Sequence, residues 1–137
     1  QRLGEYLRYR SAIGVRLTEL AILVTARQWT QQVEWAIHAP IAEKAGIAPA
    51  TLDAIALGQR PADLPADQAL VYDFCTELYT TQRVSDALWQ AFVARFGEKA
   101  ALDLTGICGY YSLLSMVMNV GQTPTPASTR APLPPLR

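Results

Sequence analysis

Apolar residues recur every three to four positions along most of this chain, and no segment alternates them with polar ones over a sustained run. The first pattern buries one face of a helix and the second would mark a strand, so the chain is predicted to be helical throughout, with no sheet. Arg2–Tyr9 is a short opening segment, set off from the next by Gly14. Arg16–Trp29 carries Leu17, Leu20, Ala21, Leu23, Val24 and Ala26, which cover more than one face and predict burial on several sides. Thr30 is suited to cap a helix that runs to about Ala45, where Gly46 closes it. Pro49, tolerated in a first turn, opens a helix through Leu57. Gly58–Asp63 is a loop, and Pro65 opens another helix through about Thr81. Ser85 caps Asp86–Phe96, which ends at Gly97, and a long apolar helix, Glu98–Asn119, is closed by Gly121.

Beyond Gly121 the chain is Pro, Thr, Ala and Ser with no apolar period, a composition that favours an extended, mobile arm; wrapping a neighbouring subunit is the alternative. The fold class is therefore all-α. One helical domain covers residues 1–120, with a Pro/Thr/Ala-rich tail over 121–137. About six helices are expected around an antiparallel hairpin.

Composition narrows the partners. A chain of 137 residues, half of them hydrophobic, suits one globular domain that buries roughly two-thirds of its unfolded surface. Twelve acids balance twelve bases, which argues against a nucleic-acid partner, since that requires a basic face. The longest apolar candidates, Leu20–Ala26 and Leu113–Val120, fall short of a membrane span. No signal peptide is read, although the sequence opens on Gln1, and the cytoplasm is the expected compartment. Cys75 and Cys108 have neither CxxC spacing nor enough partners for a metal cage.

Candidate chemistry concentrates in Val33-Glu34-Trp35-Ala36-Ile37-His38-Ala39-Pro40. Residues four apart on a helix share a face, so Glu34 and the only histidine, His38, are within touch. Glu19 lies one apolar helix earlier. In a hairpin turning near Trp29 and Thr30, Glu19 sits about 15 Å back along its helix and His38 about 12 Å beyond, at nearly the same level. Gln31, three residues before Glu34, shares the general side. An acid beside a buried imidazole is a place for proton transfer near neutral pH. Pro40 cannot donate to the carbonyl of Ala36, so that acceptor is freed and the helix bends one turn past His38. From spacing alone, a core histidine that merely holds two helices in register remains open, although burying charge for structure alone is rarely favourable.

These residues resemble the carboxymuconolactone decarboxylase / alkylhydroperoxidase D-like superfamily. The likeness spans roughly Leu3–Pro124 and rests on Arg16-Leu17-Thr18-Glu19-Leu20-Ala21-Ile22-Leu23, Glu34-Trp35-Ala36-Ile37-His38-Ala39-Pro40-Ile41-Ala42, Ala45-Gly46-Ile47 and Gly109-Tyr110-Tyr111-Ser112-Leu113-Leu114 through Asn119. It implies an all-helical, alkylhydroperoxidase D-like subunit that assembles as a trimer or hexamer, with sites near subunit interfaces. The peroxidase branch has a CxxC followed four residues later by His, with an acid one helix before. Here the acid matches Glu19 and the histidine His38, but the cysteine positions hold Gln31 and Glu34. Thiol–disulfide exchange needs a thiolate pair, so CxxC-type peroxidase chemistry is not expected. The decarboxylase branch has Glu, three residues, then His, which matches Glu34 and His38; the chain combines features of both.

The resemblance implies decarboxylation of a lactone or related carboxylic acid. His38 is then the general acid/base, Glu34 its orienting partner and Glu19 a second charge or relay. Trp35 and neighbouring aromatic residues would form an apolar wall that favours loss of a carboxylate charge. Gln31, Tyr110 and Tyr111 are candidates to line the site, with packing the plainer role for the tyrosines. Arg16 and Arg27 are candidates for a substrate carboxylate, or simply solvated, and Met116 and Met118 read as core or interface. No metal or organic cofactor is indicated. Two alternatives stand beside this reading: another proton-transfer enzyme, such as a lactone isomerase or hydrolase, and a non-catalytic oligomeric protein that only resembles the peroxidase branch.

Overall fold

In a computed structural model the described residues, 2–136, form seven helices and no strands. They are α1 (Arg2–Tyr9), α2 (Val15–Trp29), α3 (Gln32–Lys44), α4 (Pro49–Ala56), α5 (Ala66–Thr81), α6 (Asp86–Phe96) and α7 (Glu98–Val120). The centre is α2. Every residue from Leu17 to Arg27 is buried, as expected of a helix that is apolar around most of its circumference. Helices α3, α5 and α7 pack around it, α1 and α4 cover its flanks, and α6 bridges α5 and α7.

The hairpin between α2 and α3 differs by one residue from the expected cap. Thr30 adopts a left-handed conformation (φ 47°, ψ 46°) and ends α2 rather than starting α3. Its N–H donates to Arg27 O (3.1 Å) and that of Gln31 to Ala26 O (2.8 Å), which satisfies the last carbonyls of α2. The side chain of Gln31 then caps α3, its Oε1 accepting from the backbone N–H of Val33 (2.6 Å) and Glu34 (3.0 Å). Gly97 serves two helices, closing α6 and opening α7 at φ 86°, a conformation that favours glycine.

Helix α7, with 23 residues, is long and apolar enough to cross a membrane, which the shorter stretches considered from sequence did not suggest. In this fold one stripe of it, including Ala100, Leu104, Ile107, Cys108 and Tyr111, is buried in the bundle. The tail runs extended but is not free. Leu133 is buried, and residues 128–134 hydrogen-bond to α2, α3 and the end of α4's neighbourhood through side chains described below.

Candidate functional site

Three helices bring charged groups to one buried point. Glu19 comes from α2, Glu34 and His38 from α3 and Arg8 from α1. His38 Nδ1 lies 2.6 Å from Glu19 Oε2, a short hydrogen bond, and Nε2 lies 3.1 Å from Glu34 Oε2. The contact between Glu19 and His38 confirms that α2 and α3 run antiparallel at equal height about their turn. Arg8 Nε stands 3.8 Å from the second oxygen of Glu19. Formal charges on Arg8, Glu19, Glu34 and protonated His38 cancel, which makes burial of the group tolerable.

The two carboxylates are not equivalent. Glu19 is sealed, with 1% of its side chain exposed, whereas Glu34 keeps 7%. Burial by itself pulls the His38 pKa down, but contact with Glu19 and Glu34 and their negative charge outweigh it, and the net shift is upward from 6.5. Tyr111 of α7 meets the imidazole edge-on, with ring centroids 5.6 Å apart and planes at 87°. Burial, followed by the charge of Glu34, pushes its phenol pKa up, so it stays a neutral hydroxyl.

Other expected site residues lie elsewhere. Gln31 is a helix cap, and its amide donates to Asn119 Oδ1 (3.1 Å). Trp35 is buried with its indole N–H on Ala131 O (3.1 Å), so the polar edge of its ring faces the tail. Tyr110 stacks edge-on against Tyr111 and lies over α1, where a Cβ on Gly4 would collide with its hydroxyl. Arg16 pairs with Asp67 (3.1 Å). Arg27 is a buried strut: it donates to Ala56 O (2.8 Å), Pro134 O (2.7 Å) and Thr30 Oγ1 (2.7 Å), two of them at the ends of α2 and α4. Its cation therefore sits on helix C-termini, where partial negative charge accumulates. Met116 is exposed.

Two features escaped the sequence. Arg8 completes the charge balance, yet nothing in the Tyr6-Leu7-Arg8-Tyr9-Arg10 run distinguishes it from a solvated arginine. Cys75 and Cys108, separated along the chain, meet in the core with their sulfurs 3.4 Å apart, both free and buried. The Cys108 thiol donates to Cys75, and mutual contact of the pair holds the Cys75 thiol above its ordinary pKa and the Cys108 thiol below it. Sealed from solvent, they serve as packing.

Five clefts described among these residues have none of Glu19, Glu34 or His38 in their walls. Glu19, Glu34 and His38 are all buried in the single chain, and none of these clefts reaches them. Among the described residues no group of three His, Cys, Asp or Glu is arranged to hold a metal ion. The chain matches no protein-family model and no curated protein.

Proposed function

We propose that this protein is a proton-transfer enzyme acting next to a carbonyl, of the carboxy-lyase kind that the resemblance to carboxymuconolactone decarboxylases implies. The observation that carries the reading is one buried imidazole held at both nitrogens by carboxylates from two helices. In the reaction a substrate carboxylate leaves as CO2, and the electron pair of the broken C–C bond moves into the adjacent carbonyl to give an enolate. The Nε2–H of His38 protonates the carbon, and a proton taken up from solvent restores the imidazolium. The geometry favours exchanging the two acid roles expected from sequence. Glu19, closer and better sealed, holds Nδ1 and orients the ring, while Glu34, looser and partly exposed, shares the Nε2 side with substrate.

On this reading the substrate pocket lies outside the sealed cluster, over the partly exposed Glu34. Ile37, next to His38, is exposed, and so are Leu113, Met116 and Val117 on α7. A second copy packed on these residues would complete an apolar pocket, in line with an interfacial site. The test is a screen of lactones and β-keto acids for CO2 release, comparing the parent with His38→Gln and Glu34→Gln. A loss of about 10²-fold or more in both variants, with helicity intact, is expected. Equal turnover in His38→Gln would refute the assignment.

The burial of all three groups favours a second reading, in which the cluster is a structural clamp between α2 and α3. It predicts no turnover with any such substrate and a large loss of stability in His38→Gln.

A further inference from the structure

The tail is held by its main chain, which is how proteins recognise peptides. Ser128 Oγ donates to Ala36 O (2.8 Å), the carbonyl that Pro40 leaves free four residues on. Arg130 bridges Asp53 of α4 (2.7 Å) and Glu43 of α3 (3.2 Å). Trp35 Nε1 donates to Ala131 O, and Arg27 donates to Pro134 O. Between these, Gln32 reads Leu133 twice: its Nε2 donates to Leu133 O and its Oε1 accepts from Leu133 N, both at 2.9 Å. The Leu133 side chain, 3% exposed, fills the core beneath. The sequence docked here, Ala131-Pro132-Leu133-Pro134-Pro135-Leu136, is rich in proline, which preorganises an extended chain and lowers the entropy lost on docking.

We propose that this groove on α2 and α3 is an acceptor for an extended, proline-rich segment that also engages in trans, the partner segment being the tail of a second copy. None of the contacts depends on the segment belonging to the same chain. Residues 121–127, which connect it to α7, are all exposed and span up to about 23 Å when extended. The tail leaves α7 beside an apolar face that this chain leaves uncovered, with Leu113, Val117 and Val120 exposed on it. Exchange of tails between two copies keeps every groove contact and allows that face to be buried as well.

The test uses the full chain with its own tail weakened by Leu133→Asp, titrated with a fluorescein-labelled peptide of residues 125–136. A second receptor, Ser128→Ala/Arg130→Glu, loosens the tail without a buried charge and serves if the first fails to fold. Saturable binding is expected to both, weaker to the parent because its own tail competes. Adding Gln32→Ala to the receptor should weaken binding about tenfold, the worth of one or two hydrogen bonds. A peptide carrying Leu133→Asp should not bind. Absence of peptide binding to folded receptors, or equal binding of the two peptides, would overturn the proposal. The partner is tested by mixing a copy with a disabled groove (Gln32→Ala/Trp35→Phe) and a copy with a disabled tail (Leu133→Asp). A mixed complex that free peptide dissolves is expected in sedimentation. Failure to form one would overturn the second copy as occupant. Neither arm of the test depends on chemistry at His38.

Discussion

His38 gains its protonated form from its surroundings, and this links the site to pH. Because contact with Glu19 and Glu34 raises its pKa above 6.5 in the folded state, the stability it contributes is fully present below 6.5 and is lost as pH rises through the folded value. Urea midpoints of the parent should therefore decline on the alkaline side of that window, while His38→Gln stays flat across it. Each carboxylate supports the proton, so Glu19→Gln and Glu34→Gln should both lower the His38 pKa in an NMR titration of its ring protons. Their stability costs should differ. Removing the sealed Glu19 takes away the shorter of the two His38 contacts and leaves Arg8 without its carboxylate, at about 3 kcal/mol, whereas Glu34→Gln should cost less in a denaturation curve. Spacing made this trio legible, since a four-residue interval and equal distance from a turn are rigid facts of helix geometry. The same geometry explains the misplacement of Trp35. One residue past Glu34 it is rotated by about 100°, away from the acid's face and onto the tail.

At the scale of elements, the Pro40 break and the tail form one device. The carbonyl of Ala36 loses its helical donor and takes the Ser128 hydroxyl instead. Ser128→Ala should therefore cost about 1 kcal/mol in the parent. In a Pro40→Ala background the regained backbone N–H serves Ala36, and most of that cost should vanish, as a double-mutant cycle by chemical denaturation would show. Gln31→Ala should cost about 1 kcal/mol as well, by uncapping α3. Helix positions were readable because each buries an apolar stripe. The one-residue shift of the α3 cap was not, because Thr30 occupies a left-handed conformation that its residue type does not advertise. The docked tail was unreadable for a different reason. Its backbone groups are held by side chains about a hundred residues away, and composition carries no record of that pairing.

For the whole molecule, uncovered apolar surface is the dominant feature. Leu113, Met116, Val117 and Val120 are exposed along about the last two turns of α7, a contiguous strip of the kind that marks interfaces. Light scattering should give a mass above that of one chain, and Leu113→Lys/Val117→Glu should shift it toward the monomer. If the His38 pocket is completed between copies, the same double variant should lose CO2 release while keeping its helicity.

Trp35 also gives the molecule an internal reporter. Its indole is 1% exposed and its N–H rests on a tail carbonyl, whereas the indoles of Trp29 and Trp89 make no hydrogen bond to the tail, so replacing those two by Phe leaves Trp35 as the emitter. Emission from a sealed indole is blue, and it moves to longer wavelength when water replaces a fixed carbonyl. A red shift that precedes loss of helical circular dichroism on heating would therefore time the departure of the tail, without any label.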